Sequence, residues 1–305
     1  MKTIYTLILA SFFLTACQNQ QTDLALNLDK GETYKQVTSS KATITQSANG
    51  QDITMVMLMD ASLSFLVTEI KDNVYHFDAN FETITMSMQM PQGAMNFSSE
   101  KEDENDIMSS VFKAMTQKTF EVSMSKTGKI INIEDVDLVW NEAINSFDQL
   151  SAMQKGQLKA QLMKAYGAEA LKGTIEMATA IYPETAVTTG DTWTINTDIE
   201  SGMSAKMITE YEFVETKADY AVIKGQSTIT TTDKEAYVSF NGIDMKYDLV
   251  GNMTSDLKVD QDTGWILEAH VNQNIEGDAF IKENAQMPNG LKIPMQMTNA
   301  THITN

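Results

Sequence analysis

Methionine occupies every second position in two short runs of the sequence, MVMLM and MSMQM. The six methionines are Met55, Met57, Met59, Met86, Met88 and Met90. Because successive side chains of a β-strand point to opposite faces, each run would place three thioethers on one face of a sheet. Such a face suits core packing, the wall of a site for a lipid or another apolar ligand, or coordination of Cu(I). Neighbours on one strand face lie about 7 Å apart and would have to converge on a copper ion. We therefore predict a core face or an apolar ligand face.

Residues that commonly act as nucleophiles, bases or metal ligands show no recognisable arrangement. The three histidines are His76, His270 and His302, and no pair has the His-x-x-x-His spacing of a zinc site. The acidic run from Glu100 to Asp106 lacks the alternating oxygen ligands and central glycine of a calcium loop, and the start of a helix explains it better. Neither a G-x-S-x-G elbow nor a nucleotide-binding glycine motif is present. We predict no enzyme, no metal and no cofactor, with a carboxylate pair that hydrolyses glycans as an open alternative.

Cys17 is the only cysteine of the 305 residues and ends the stretch LTAC. It follows Lys2 and an apolar run at 4–14, which is shorter than a bilayer span of about 20 residues and is typical of a secretory signal peptide. The stretch LTAC matches the bacterial lipobox, in which the cysteine becomes the lipidated first residue of the mature chain. We predict that residues 1–16 are a signal peptide and that acyl chains on Cys17 anchor the protein to a membrane. Gln18, in place of an aspartate, favours the outer membrane, and the absence of an acidic run before Asp23 favours a position facing the periplasm.

The charge balance narrows the range of partners. The chain has 22 lysines, no arginine and 41 acidic residues, which gives a formal net charge of −19 at pH 7. Proteins bind a phosphate backbone largely through Lys and Arg, so we predict no nucleic-acid partner. Without arginine, the chain also lacks the guanidinium groups that hold phosphates and carboxylates through two parallel hydrogen bonds. The expected partners are the membrane, reached through the lipid anchor, and a lipid or another envelope protein.

Strand patterns dominate the chain on both sides of a helical middle. Period-two alternation rich in Thr, Val, Ile and aromatic residues predicts strands at 33–46, 53–59, 63–70, 74–90, 120–133, 192–200, 203–215, 220–231, 245–259 and 265–276. Between the two sets, apolar residues at helical spacing predict helices near 103–117 and 136–150. Ser151 and Gln154 form a capping box before a further helix, which Gly167 can end.

The order of local sequences in the first set of strands recurs in the second. The four pairs are GETY at 31–34 with GDTW at 190–193, 65–77 with 212–224, 95–97 with 245–247, and 125–134 with 260–269. Four similar pairs in the same order favour an internal duplication. We expect two similar antiparallel β-sheet halves, curved or half-barrel-like, with the helices covering an open face.

Five segments of the sequence are distinctive when taken together in this order: NLDKGETYK (27–35), SSEKEDENDIMSSVFKA (98–114), GDTWTIN (190–196), MKYDLVGNMTS (245–255) and DTGWILEA (262–269). Together they resemble a family of bacterial outer-membrane lipoproteins classed only as a domain of unknown function. The resemblance covers nearly the whole mature chain. It implies an anchored, β-rich envelope protein and implies no catalytic residue.

These observations predict a mainly β protein with a helical insert (α+β). Its parts would be a signal peptide (1–16), a lipidated polar tether (17–27), a first β-rich half (28–134) with a short helix near 103–117, the helical insert (135–172) and a second β-rich half (173–305). The expected function is that of a non-catalytic binding or scaffolding module of the cell envelope. The alternative is a carrier that holds a lipid or another apolar ligand in a half-barrel cavity lined by one of the methionine runs.

Overall fold

A computed structural model describes residues 21–48, 50–103, 105–145, 147–200, 204–240, 243–284 and 287–305. Cys17, the predicted signal peptide and the first residues of the predicted tether lie outside the described residues. Within those ranges the chain is mainly β and forms one antiparallel sheet of 13 strands, accompanied by four helices. No described helix is both long and apolar enough to cross a membrane.

The elements follow the predicted order, with strands on both sides of a helical middle. The strands are β1 (Thr33–Ala48), β2 (Gln51–Lys71), β3 (Val74–Met90), β4 (Gly93–Ser98), β5 (Phe120–Ser125), β6 (Ile130–Glu134), β7 (Thr192–Glu200), β8 (Ser204–Thr216), β9 (Tyr220–Thr231), β10 (Val238–Phe240), β11 (Ile243–Asp260), β12 (Ile266–Ile281) and β13 (Leu291–Thr304). The helices are α1 (Ile107–Met115), α2 (Val136–Asn145), α3 (Ala152–Tyr166) and α4 (Ala168–Thr179). The predicted strands at 53–59 and 63–70 are one continuous strand, and β13 was not predicted.

The strand order shows that the two predicted halves belong to one curved sheet. The order is β6-β5-β3-β2-β1-β13-β12-β11-β9-β8-β7, and β4 and β10 pair only with β3 and β11. β13 lies between β1 and β12 and joins the halves. The edge strands β6 and β7 do not pair with each other, yet α4 packs against both of them. One helix can contact both edges only if the sheet curves strongly, so the sheet has a concave and a convex face.

Two of the helices begin next to residues whose side chains cap them. Asp106 ends the acidic run and caps α1, since its side chain accepts a hydrogen bond from the Ser109 N–H at 3.1 Å. Ser151 and Gln154 form the predicted capping box of α3. The helical insert continues through α4 to Thr179, which is beyond the predicted boundary at 172.

The main core lies on the concave face, at the end of the sheet that holds the turns after β2, β5, β8 and β11. Aromatic rings meet there: Phe65 lies 5.7 Å from Phe77 and 5.6 Å from Trp265, measured between ring centroids. Residues of all four helices complete this core, with the fully buried Trp140 of α2 among them. The helices therefore fill one end of the curved sheet.

The described part of the predicted tether is not a free linker. Thr22 forms a β-bridge with Val187, and both Leu24 and Leu26 are buried in the main core. The Leu26 N–H also donates to the carbonyl oxygen of Lys126 at 2.8 Å. Leucines at every second position form an apolar face, a pattern that the polar composition of the flanking residues obscured. The prediction of a tether through residue 27 is therefore corrected to one that ends before Thr22.

The first hairpin of each half has the same backbone contacts. The Gly31 N–H donates to the carbonyl oxygen of Val67 at 2.8 Å, and the Gly190 N–H donates to that of Phe213 at 2.7 Å. The β2–β3 register shifts just after Val67, and the β8–β9 register shifts just after Phe213. The two segments that the sequence pairs therefore enter the sheet in the same way.

The β5–β6 and β11–β12 turns share a second feature. Gly128 and Gly264 have positive φ values of 80° and 68°, and each lies against a backbone carbonyl group from outside the hairpin. The carbonyl group belongs to Thr179 at Gly128 and to Ala25 at Gly264. Any side chain would be strained by the φ value and would collide with these neighbours, so only glycine fits both turns.

Candidate functional site

The six methionines singled out by the sequence lie on the concave face, on the adjacent strands β2 and β3. Met57 is directly opposite Met88, and Met59 is opposite Met86. Phe65, further along β2 on the same face, is fully buried in the main core. Each run shares one face, as strand geometry requires, and the register of β2 with β3 brings the two runs side by side.

Apolar residues of β1, β12 and β13 extend this surface. Ile44 is paired on one side with Met55 and on the other with Met297, which in turn pairs with Ile275. We call the combined surface the methionine face. It consists of Ala42, Ile44, Met55, Met57, Met59, Met86, Met88, Met90, Ile275, Met295 and Met297.

Protein atoms cover the methionine face only in part. Met86 is 6 % exposed, but the other five methionines of β2 and β3 keep intermediate exposure. Met57 and Met59 contact the main core, and Met297 contacts a second apolar cluster formed by β8, β9, β11 and β12. Among the described residues, the helices pack mainly against the strands from β3 to β7. In this part of the chain they make no comparable contact with β1, β2 or β13. The methionines thus continue the core surface into a region that the helices do not fill.

His76 does not contribute to the methionine face. It lies on β3 between the buried residues Tyr75 and Phe77, so its side chain points to the convex face. There its Nδ1 atom is 3.0 Å from Oγ of Ser123. This histidine is therefore not placed to complete a copper site with the thioethers.

The other two histidines meet on the convex face. His270 of β12 and His302 of β13 are directly opposite each other, and their rings stack with centroids 4.4 Å apart and planes 5° apart. Their Nε2 atoms lie 3.1 Å and 3.6 Å from Oε1 of Glu268. Sequence spacing gave no signal for this cluster, because the histidines are brought together only by the register of β12 with β13.

Charged groups surround the histidine pair. Lys258 donates to Oε2 of Glu268 at 2.5 Å, and this hydrogen bond, together with the one to His270, lowers the pKa of Glu268 to about 2. Asp60 and Asp256 lie in the same cross-strand row as the two rings, one on each side. A depression of about 410 Å³ opens beside the rings, and its lining includes Asp60, Lys41 and Asn272.

Two buried ionisable groups form hydrogen bonds with backbone atoms. Glu176 of α4 is 7 % exposed, and its Oε1 accepts a hydrogen bond from the Ile130 N–H at 2.8 Å. Burial raises the pKa of Glu176, although the Ile130 hydrogen bond opposes the shift. The hydroxyl of Tyr182 donates to the carbonyl oxygen of Gly264, and burial raises the pKa of Tyr182. These contacts hold the turns and the edge strand β6 against the helical insert.

Comparison with known protein families identifies the family of the chain from its sequence. Residues 72–266 match the model of a family of unknown function, DUF6263. The chain belongs to this family. The matched range contains three of the five segments on which the resemblance was based, at 98–114, 190–196 and 245–255. A search of curated proteins finds no match.

Solved structures with similarity to the chain include outer-membrane channels. One is an outer-membrane channel from Pseudomonas putida F1, with 8 % identity, 92 % of this chain and 97 % of that chain covered, and a TM-score of 0.29. Another is OpdD of Pseudomonas aeruginosa, with 5 % identity, 90 % and 99 % covered, and a TM-score of 0.24. A third is OmpF of Salmonella typhi in complex with daunomycin, with 7 % identity, 92 % and 99 % covered, and a TM-score of 0.21. These likenesses carry no functional information.

Proposed function

We propose that the protein is a lipoprotein of the bacterial outer membrane, anchored through Cys17 and facing the periplasm, which binds the acyl chains of a lipid on its methionine face. It acts as a binding module or carrier and catalyses no reaction. The observation that carries the proposal is the pair of adjacent methionine runs, which continue the core surface of a curved sheet but stay partly exposed.

The size of the methionine face favours a lipid over a protein partner. Met55 to Met59 extend about 14 Å along the strand, and the strands from β13 to β3 extend the face to roughly 15–20 Å across. Such an area is well below the roughly 800 Å² per partner that a stable protein interface buries. It suits extended alkyl chains, and flexible thioethers adapt to chains of different length and unsaturation.

The short tether keeps the folded body near the membrane. Because Thr22 is already fixed to Val187, only the five residue steps from Cys17 to Thr22 separate the lipid from the folded body. An extended chain of that length reaches at most about 18 Å. The anchored protein would therefore remain within one molecular diameter of the bilayer from which it takes its ligand.

We also propose that the two β-rich halves arose by duplication. Supporting observations are the equivalent contacts of Gly31 and Gly190 and the positive-φ glycines at 128 and 264. The strand orders β1-β2-β3-β5-β6 and β7-β8-β9-β11-β12 also correspond, with β13 between the halves. Superposition of the halves in an experimental structure tests this: unrelated positions for Gly128 and Gly264 would contradict it.

Native mass spectrometry tests lipid binding directly. The full chain with Cys17→Ser, purified from envelope extracts without detergent, should carry phospholipid or fatty acid that denaturation releases. The purified protein should also take up a fluorescent fatty acid to saturation. Replacing Met57 and Met88 together by Gln should weaken this uptake by at least about tenfold, because two apolar contacts with the chain, each worth roughly 1 kcal/mol, are replaced by polar groups.

Leu58→Gln is the matched control. Leu58 lies between Met57 and Met59 but points to the convex face, where it is 36 % exposed. This variant should bind the fatty acid as the parent does. A bare protein mass with no saturable uptake, or an equal loss in the Leu58 variant, would overturn the proposal.

A further inference from the structure

We propose that Glu268, His270 and His302 form a binding site for a divalent transition metal, with Zn²⁺ as its best-suited ion, on the convex face of the sheet. The site is separate from the methionine face, because alternate residues of β12 and β13 point to opposite faces. Two imidazoles and one carboxylate are ligands that zinc commonly takes in proteins.

The distances from the carboxylate to the two imidazoles are close to those in a coordination sphere. With metal–ligand bonds of about 2.0–2.1 Å, ligand atoms of a tetrahedral site lie about 3.3 Å apart. Oε1 of Glu268 is 3.1 Å from Nε2 of His270 and 3.6 Å from Nε2 of His302. All three ligand atoms lie within 4.8 Å of one another. The two rings are stacked nearly parallel, so one or both must rotate about their side-chain bonds before the two Nε2 lone pairs meet on one ion.

The backbone keeps these ligands in place. Residues 270 and 302 are a directly opposed pair on β12 and β13, two central strands that are hydrogen-bonded to neighbours on both sides. Sites built on such paired strands hold their side chains more closely than sites built on loops. The histidine side chains are 54 % and 45 % exposed, so an ion can reach them from solvent.

The groups around the histidines orient the carboxylate ligand. Lys258 holds Oε2 of Glu268 and leaves Oε1 directed at the histidines, in the way that an outer hydrogen bond orients a metal-bound carboxylate. Asp256 lies next to His270 in the cross-strand row and is 3.7 Å from Lys224, and Asp60 lies on the other side, beyond Ser39. Three protein ligands leave a fourth coordination position for water or a small anion, and the adjoining depression of about 410 Å³ has room for either.

Calorimetric titration of Zn²⁺ into the full chain with Cys17→Ser tests the site without a competing thiol. We expect one saturable ion per chain. His270→Ala and His302→Ala should each weaken binding by at least about tenfold, and Glu268→Gln should weaken it as well. Imidazole NMR should show shifts of the His270 and His302 ring nitrogens on addition of Zn²⁺, while those of His76 stay in place.

His76→Ala is the matched control, because it removes the one remaining histidine of the chain and should leave the affinity unchanged. Thermal unfolding without metal checks that each variant folds, and His302→Gln replaces the alanine variant if that one does not. Absence of saturable binding, or binding that persists unchanged without both His270 and His302, would overturn the proposal.

Discussion

Gly128 shows how a single residue fixes the junction between the sheet and the helical insert. Its φ is 80°, and a Cβ atom there would lie 1.7 Å from the carbonyl oxygen of Thr179. Gly31 has a similar φ of 90° but has open space where a Cβ would be. Gly31→Ala should therefore lower the free energy of unfolding by about 1–2 kcal/mol through backbone strain alone.

Gly128→Ala should lower the free energy of unfolding by about 1–3 kcal/mol more than Gly31→Ala does, because the added methyl group also forces the backbone of α4 away. Urea unfolding of the two variants, compared with the parent, measures the difference. Equal losses would show that the close approach to Thr179 contributes nothing.

Glu176 provides a pH-dependent test at the same junction. Burial raises the pKa of Glu176, with a smaller opposing contribution from the Ile130 hydrogen bond. A carboxyl group whose folded pKa is raised stabilises the fold while it is protonated, and this stability is lost as the pH rises through the folded pKa. Glu176→Gln keeps an acceptor for the Ile130 N–H and removes the ionisation.

We therefore expect the parent and the Glu176→Gln variant to be similarly stable below about pH 4.5, near the unfolded pKa of Glu. Above that pH, the variant should become progressively more stable than the parent. Chemical unfolding at several pH values measures this divergence. Glu169→Gln, an exposed position on the same helix, serves as control and should show no such trend. A variant that loses stability relative to the parent as the pH rises would contradict the argument.

The candidate sites show what a sequence reveals about individual residues. Period-two spacing predicts that Met55, Met57 and Met59 share a face, and they do. It does not reveal which strand lies alongside, so the pairing of Met57 with Met88 was not predictable. The same limit concealed the cluster of His270 and His302, which are 32 residues apart in the chain and adjacent only through the register.

At the scale of elements, local signals predicted most strands, the helices α1 to α3 and the capping box of α3. β13 was missed, since Pro294 within Leu291–Thr304 argues against a central strand. α4 was not predicted as a helix, because its role is to cover two sheet edges that are far apart in the sequence. Contacts of this kind depend on the curvature of the whole sheet, and a short stretch of sequence carries no information about that curvature.

The side chain of Tyr75 adds two hydrogen bonds to the contacts that hold the N-terminal segment at residues 22–28. The hydroxyl of Tyr75 donates to the carbonyl oxygen of Leu26 at 2.9 Å and accepts from the Leu28 N–H at 3.3 Å. Tyr75→Phe leaves both backbone groups buried without this partner. The loss should lower the free energy of unfolding by about 1–3 kcal/mol. Because the loss is local, the amide of Leu28 should exchange its hydrogen at least about tenfold faster.

Hydrogen exchange read by NMR measures this effect. Tyr247→Phe, on β11 and away from the segment, is the control and should leave the Leu28 amide as protected as in the parent. Unchanged protection in Tyr75→Phe would mean that the packing of Leu24 and Leu26 and the backbone hydrogen bonds to Val187 and Lys126 hold the segment without the hydroxyl. In that case the length of the tether would not depend on the hydroxyl.

The whole molecule combines a strongly acidic body with a predicted lipid anchor, and the two have opposite effects at a membrane. A formal net charge of −19 repels anionic lipid surfaces, which attract proteins through clusters of Lys and Arg. Membrane association should therefore depend entirely on the acyl chains at Cys17, since two or more chains give firm anchoring and the body contributes no electrostatic attraction.

Cys17→Ser separates these two contributions. The parent should incorporate a palmitate analogue and sediment with outer membranes, whereas Cys17→Ser should do neither. The purified variant should also stay in the supernatant with phosphatidylglycerol vesicles even at low salt, where any attraction between charges is strongest. Asn19→Ser, two residues beyond the cysteine, should be lipidated and sediment as the parent does. A Cys17→Ser protein that still incorporates the analogue would disprove the site of lipidation. One that binds the vesicles without it would show that the acidic body has a membrane contact of its own.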